Sequence, residues 1–391
     1  MKRLASAFSF SNLLVYTARY MTDISEARSN VLVIRNNSFP DQYLSLNLCS
    51  AMKTTIAKYK NACKHSLDWL LQHVHDDGST GPVASRLYYY RVPWMYVLMG
   101  EYELANRKLD WIKAYMFTSE GAFEGLSPQQ IYTERYGSYP LSCLIAGAIL
   151  TQRFDIVYPG VENLKTWQDE HTGGVNNSKV SRKGKDEQEL FPTAQFGMTM
   201  LLSGQLKSAI KAGDWMERVW RLQPDSNHLL YHVYDSDRQR LVIDVDPADT
   251  PLYITRKDLP WQHHFNGGIA AAFLTHLYFA THENKWLDLA RKYQNFSMTT
   301  DACQFKSMQV CKSGWGSGLL YQATGDPIYR AWTKRIGDWF LSHQHADGHW
   351  ENTRYWNPNP TLADNIEITT EFIMHLAHIS MYLSLDRAHG K

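Results

Sequence analysis

The chain has 391 residues, of which 44% are apolar and 20% charged, with a formal charge of +1 when histidines are neutral. That composition excludes a disordered chain, and no Lys/Arg run longer than SRKGK builds the basic face that nucleic acid requires. The five cysteines, Cys49, Cys63, Cys143, Cys303 and Cys311, are odd in number and lack CxxC spacing. They resemble reduced thiols more than a disulfide or zinc framework and fit a reducing, cytoplasmic setting.

The first segment, MKRLASAFSFSNLLVYTARY, carries two cations and a Ser-interrupted apolar run without a clear cleavage site. It reads as an N-terminal helix within an extension covering about 1–50, with a transit or signal peptide as the alternative. No run of 18 apolar residues occurs, so no membrane span is expected. From His65 onward a pattern repeats: HSLDWLLQHVHDDGSTG, RKLDWIKAYMFTSEGAFEG at Arg107, ENLKTWQDEHTGGV at Glu162, KAGDWMERVWRLQPDSNHLLY at Lys211, RKYQNFSMTTDACQF at Arg291 and GDWFLSHQHADGHWENT at Gly337. Each is a helix ending in a polar turn, marked by Trp69, Trp111, Trp167, Trp215, Tyr293 and Trp339. A period of roughly 40 to 50 residues signals supersecondary units that bury their faces on their neighbours. The longer gap before Tyr293 contains LLYHVYDSDRQRLVIDVDPADTPLY, two β-rich runs around a polar turn, which reads as a hairpin inserted at about 229–253.

A second helix precedes each marked one. In FNGGIAAAFLTHLYFATHENKWLDLA and WGSGLLYQATGDPIYRAW the first member is small and apolar all round, as in a helix packed on both sides. The turns THEN and TGDP carry stop and N-cap chemistry. Two helices in each of six units predict an all-α protein, an (α/α)6 toroid with a small inserted β-hairpin, as one domain over 1–391.

The helix-end turns LLQHVHDDGSTG, WQDEHTGGV and HQHADGHW resemble degenerate QW repeats of the α/α-toroid superfamily, which includes terpenoid cyclases, protein prenyltransferase β subunits and six-hairpin glycosidases. The resemblance covers about 54–385 and implies architecture more than chemistry. It also implies a central funnel whose mouth is lined by the N-terminal ends of the inner helices. Those ends are RLYYYRVPW, YTERYGSYP, DEQELFPTAQF, PWQHHFNGG, VCKSGWGSG and DNIEITTEF, all mixing aromatic and polar residues as a ligand pocket does.

The candidate catalytic residues are His263, His264, Arg91 and Glu371. Adjacent on a helix, the two histidines point about 100° apart, so one of them faces the funnel. Arg91 and Arg135 can hold a carbonyl or carboxylate through a bidentate fork, or pair with Glu134, Glu187 or Glu189. Glu371, on one face with Glu367, is an acid/base candidate if desolvated. Tyr88, Tyr90, Trp94, Arg135, Tyr136, Gln195, Trp261 and Trp315 are the expected substrate-binding residues, the aromatics supplying π-faces.

The superfamily's chemistries divide on motifs. DVDPAD, from Asp244 to Asp249, departs from the cyclase DxDD and reads as a turn. No DDxxD lies on a helix; Asp76 and Asp77 sit in a DDG turn, so diphosphate-bound magnesium is not expected. Asp301 and Cys303, with His375 or His378 downstream, match the zinc ligands of prenyltransferases only in residue type. The leading expectation is therefore a cyclase or isomerase without metal or cofactor, folding an unsaturated terpenoid or polyketide in an aromatic funnel, by a pericyclic closure, in secondary metabolism. Its partner would be a hydrophobic small molecule. The alternative is a carbohydrate-active enzyme, a six-hairpin glycoside hydrolase or sugar epimerase, using two carboxylates or a pair of histidines. YHVYD resembles the hairpin of such enzymes, although the usual inner-helix Asp has no counterpart in YGSYP or KSGWG.

Overall fold

The computed structural model describes residues 40–82, 86–123, 136–178, 186–300, 302–306, 310–353 and 358–385, excepting the side chains of 40–50, 86–88 and 303. Twelve α-helices lie among them, in alternation. The outer helices are α1 (Pro40–Leu71), α3 (Tyr102–Tyr115), α5 (Phe154–Lys165), α7 (Leu206–Arg221), α9 (Asn284–Met298) and α11 (Pro327–His343). The inner ones are α2 (Val92–Met99), α4 (Ser138–Leu150), α6 (Leu190–Leu202), α8 (Phe265–Thr281), α10 (Cys311–Thr324) and α12 (Leu362–Ser384). Each inner helix packs on the next, α12 packs on α2, and the first outer helix α1 packs on α12. The ring is thus closed by the two ends of the described chain, as the (α/α)6 expectation requires.

The burial pattern follows the sequence pattern. In α7, Ala209, Ala212, Gly213, Trp215, Met216 and Val219 are buried, one apolar stripe at helical spacing, while the opposite face carries Lys and Arg. In α10 every residue from Cys311 to Leu320 is buried, because the helix is covered on both sides. Its small residues permit close approach: a Cβ on Gly268 would lie 2.4 Å from the Lys312 carbonyl oxygen, so α8 and α10 meet backbone to backbone at their opening turns. The turns between helices behave as read, with Gly325 left-handed after α10 and the Asp326 side chain accepting from the Ile328 N–H at 3.0 Å.

The repeated outer-helix turn is the device that joins units. Bridges Val74–Thr80, Phe117–Phe123 and Gln168–Val175 close three of these turns. In each, a glycine at positive φ (Gly78, Gly121, Gly173) touches the next outer helix, and Gly348 after α11 touches α1 in the same way. At Gly173 an added Cβ would stand 2.3 Å from the Lys211 carbonyl oxygen, a position only glycine can fill.

The insertion differs from the single hairpin expected over 229–253. Strands β3 (Val233–Asp235) and β4 (Arg240–Leu241) do pair antiparallel around the DSDRQ turn. However, β3 also pairs with β1 (Glu187–Glu189), just before α6, and β2 (Leu229–Tyr231) pairs with β5 (Ile254–Arg256). Burial decides this: the opposed pair Leu230 and Thr255 is wholly enclosed, whereas DVDPAD is a largely exposed segment in which Asp246 accepts from the Ala248 N–H at 2.9 Å.

Candidate active site

The inner-helix openings converge as the sequence predicts. Arg91 ends the 3-10 turn Arg86–Arg91 that leads into α2 and is buried. Its Nη1 pairs with Glu367 and, at 2.9 Å, with Glu371, while Nη2 donates to the Tyr139 hydroxyl at 3.1 Å. Glu371 also pairs with Lys312 from the opening of α10 and faces the His375 Nε2 at 3.4 Å. Glu367 accepts from the Asn352 amide at 3.1 Å and the Tyr90 hydroxyl at 3.4 Å. Glu367, Glu371, His375 and His378 recur at spacings of four and three along α12, so they share one face of it.

Among the described residues, two cations and two carboxylates meet here. Burial alone would raise the Glu371 carboxyl, but Arg91 and Lys312 outweigh it and hold the group well below the usual carboxylate range. Burial likewise opposes the Arg91 charge and is overcome by Glu371, Tyr139, Tyr90 and Glu367, so the guanidinium stays protonated. Glu371 is therefore a fixed anion, not the protonated acid that desolvation by itself would make. Burial lowers His375 to about 4, against the pull of Glu371, and leaves its ring neutral near pH 7.

A second group forms where the insertion meets the ring. Glu189 closes β1, His232 stands between β2 and β3, and His263 lies on the loop into α8. His232 Nδ1 and Glu189 Oε1 are 3.3 Å apart, the Asn177 amide donates to Glu189 Oε2 at 3.4 Å, and the His232 and His263 rings are 5.4 Å apart. Phe265 joins the two groups, its ring centre 4.9 Å from Lys312 Nζ and 5.0 Å from the His263 ring. Phe191 packs on Phe265 at 5.4 Å and on Tyr136 and Tyr139 at 4.9 and 5.0 Å. The result is an aromatic floor that links the two groups.

Of the expected residues, Arg91, Glu371, Tyr90, Tyr136 and His263 come together at this mouth. His264 turns elsewhere: its Nε2 lies 3.1 Å from the Leu259 carbonyl oxygen, and burial pushes the ring down to about 4. Trp94 and Trp315 lie along the barrel interior, packed on His378 at 6.0 and 5.5 Å. Gln195 is buried with its Nε2 lacking a hydrogen-bond partner. Trp261 instead lines an outlying cavity of about 220 Å³ with Phe305, Trp339, His343 and Glu351. The Tyr88 side chain, Arg135, Glu134, Asp301 and the Cys303 side chain fall outside the described residues. Sequence reasoning did not assign roles to Lys312 and His232. A lysine at the opening of a helix otherwise apolar all round was a signal for the first; His232, inside a short strand-rich run, offered none.

Among the described residues three groups have metal-ligand composition: Glu189, His232 and His263; Cys311, Glu371 and His375; and His345, His349 and Glu351. In the second, Arg91 and Lys312 already occupy Glu371, and burial pushes the Cys311 thiol up to about 12.

No family model matches the chain, and no curated protein matches it. Solved structures do. A D-mannose isomerase superposes with a TM-score of 0.61 at 14% identity, over 82% of this chain and 96% of that one. An α-1,6-mannanase of glycoside hydrolase family 76 from Salegentibacter sp. HEL1_6 gives 0.59 at 13% identity, over 83% and 99%. A family 76 α-mannanase from Bacteroides thetaiotaomicron gives 0.57 at 12% identity, over 83% and 96%. These neighbours overturn the terpenoid or polyketide cyclase expectation and the pericyclase and secondary-metabolism readings attached to it. The physical reason is visible at the mouth, where Arg91, Lys312, Glu367 and Glu371 replace the dry aromatic lining that a hydrocarbon substrate needs. The hydrophobic nature of the expected partner loses its support with them. Among the described residues no helix is long and apolar enough to cross a membrane. At such identities the likeness is one of fold: the chain shares the six-hairpin (α/α)6 toroid of these enzymes.

Proposed function

We propose that the chain is a carbohydrate-active enzyme that moves a proton on a small sugar, as an aldose–ketose isomerase or epimerase does. The observation that carries this reading is the presence of two histidine–glutamate groups, His263/His232–Glu189 and His375–Glu371, linked through the aromatic side chains around Phe265. A base of this kind takes the proton from the carbon beside the carbonyl and returns it to the neighbouring carbon, or to the other face of the same carbon. The enediolate formed between the two transfers needs fixed cations, and Arg91 and Lys312 stand beside the floor, with Arg91 Nε lacking a hydrogen-bond partner. The aromatic faces of Tyr136, Tyr139, Phe191 and Phe265 suit the C–H faces of a sugar ring.

Glycoside hydrolysis has less support. One of the neighbouring mannanases is described as inactive when two consecutive aspartates are replaced. In this chain the only consecutive pair, Asp76 and Asp77, lies in the exposed turn after α1, where Asp77 accepts from the Ser79 N–H at 2.9 Å. The test is proton NMR of free hexoses in heavy water with the purified chain, beside α-1,6-linked mannan oligosaccharides. Deuterium entering at the carbon next to the carbonyl, with a new ketose or epimer, is the expected result. Shortened oligosaccharides without exchange would overturn the reading.

A further inference from the structure

We infer that His345, His349 and Glu351, in the connection from α11 to α12, form a binding site for one divalent transition-metal ion of the zinc type. Two imidazoles and a carboxylate are a donor set that such ions select. One donor atom from each residue lies within 4.8 Å of the other two. Ligand bonds of about 2.1 Å on a tetrahedral ion separate two ligands by about 3.4 Å. His345 Nε2 and Glu351 Oε2 stand 3.9 Å apart, and both side chains are exposed, so a small rotation of each closes the remaining distance.

The turn is built to hold the three together. The Gly348 N–H donates to the His345 carbonyl at 2.9 Å and the His345 N–H donates to the His349 carbonyl at 2.9 Å, which brings the two rings into a stack at 4.4 Å. Gly348 against the His65 carbonyl, and the His349 ring stacked on Trp69 at 5.0 Å, seat this turn on α1. Trp350 is wholly buried, its Nε1 donating to the Phe340 carbonyl at 2.9 Å, so its neighbours His349 and Glu351 face away from the core. Asp347 Oδ1 engages His349 Nδ1 at 2.6 Å, the carboxylate–histidine arrangement that orients imidazole ligands and leaves the other ring nitrogen as the donor. His345 and Glu351 also line the outlying cavity of about 220 Å³, so a coordination position that the protein does not fill is reached by small ligands from solvent.

The other two groups do not offer this. Glu371 is already engaged by Arg91 and Lys312, and Glu189, His232 and His263 belong to the candidate active site. The inference does not depend on the sugar reading, because it is measured without substrate. The chelator-stripped chain is dialysed to equilibrium against Zn2+ and its bound metal is counted by elemental mass spectrometry, with thermal melts recorded in the presence and absence of the ion. About one Zn2+ per chain is expected, together with a rise in melting temperature, because the ion binds the folded turn more tightly than the unfolded chain. His345→Gln and His349→Gln should each weaken binding by at least about 10-fold and shrink that rise. His171→Gln, at an exposed histidine in the turn after α5, should change neither. Circular dichroism checks that the variants fold; if His349→Gln does not, having lost its Trp69 contact, Glu351→Gln takes its place. A native chain that binds no zinc, folded site variants that bind it as the native chain does, or an equal loss from His171→Gln overturns the inference.

Discussion

Arg91, at the opening of the first inner helix, and Glu371, on the last, are joined by a 2.9 Å ion pair across the seam where the ring closes. The same contact therefore ties the two ends of the described chain together and fixes the candidate active site. Both partners are buried, so the pair is costly to break rather than strongly stabilising to make.

Replacing Glu371 by Gln removes the carboxylate that Arg91 and Lys312 share. An uncompensated buried cation costs about 3–5 kcal/mol, and urea denaturation of Glu371→Gln should show a loss of that size. Adding Lys312→Met removes the surplus charge, so the double variant should regain part of the stability. Strict additivity of the two losses would mean that the residues do not interact.

Acid should destabilise the fold before its carboxylates titrate. Burial holds His264 and His375 at about 4 and His378 at about 3, whereas an unfolded histidine titrates near 6.5. Between those values the unfolded chain binds more protons than the folded one, so stability falls as pH drops below about 6.5. Each unit of pKa gap contributes up to ~1.4 kcal/mol, giving a decline of several kcal/mol by pH 5. Thermal melts from pH 7 to pH 5 measure it, and His378→Phe should flatten the slope; an unchanged melting temperature across that range would contradict the burial of these rings.

Much of this architecture was legible because it is local and repeated. The marks Trp69, Trp111, Trp167, Trp215, Tyr293 and Trp339 fall in or just after the six outer helices, and the six quoted inner-helix segments open the inner ones. What escaped is non-local. Lys312 is chemically informative only beside Glu371, which lies 59 residues away in sequence, and His232 only beside Glu189 and His263, through strand pairings that alternation over three residues does not specify. The substrate class was misjudged for a related reason: Tyr and Trp counts cannot distinguish an aromatic floor with charged neighbours from an apolar funnel, because the charges come from separate helices.

Gly348 and Gly204 provide a test of the inter-unit joint. Both have positive φ, 104° and 76°, so alanine strains the backbone at either by roughly 1–2 kcal/mol. At Gly204 an added Cβ meets nothing within 4 Å, while at Gly348 it would lie 2.5 Å from the His65 carbonyl oxygen. Gly348→Ala should therefore lower the urea midpoint distinctly more than Gly204→Ala. Equal losses would mean that the α11 turn does not dock on α1 as described.

Lys108 provides the complementary alkaline test. It is buried under the first repeat, its Nζ donating to the Gly78 carbonyl and the Thr80 hydroxyl and lying 4.6 Å from the Tyr89 ring. Burial lowers it to about 7, partly opposed by Asp77, against about 10.4 in an unfolded chain. Between these values the unfolded state binds the extra proton, so this group makes the fold more stable as pH rises above 7. The gain amounts to at most ~1.4 kcal/mol per pH unit. Urea midpoints compared at pH 7 and pH 8 stay below the range where unfolded thiols titrate. The native chain should gain stability over that interval relative to Lys108→Met; identical pH dependence in the two proteins would show that Lys108 keeps its charge without penalty.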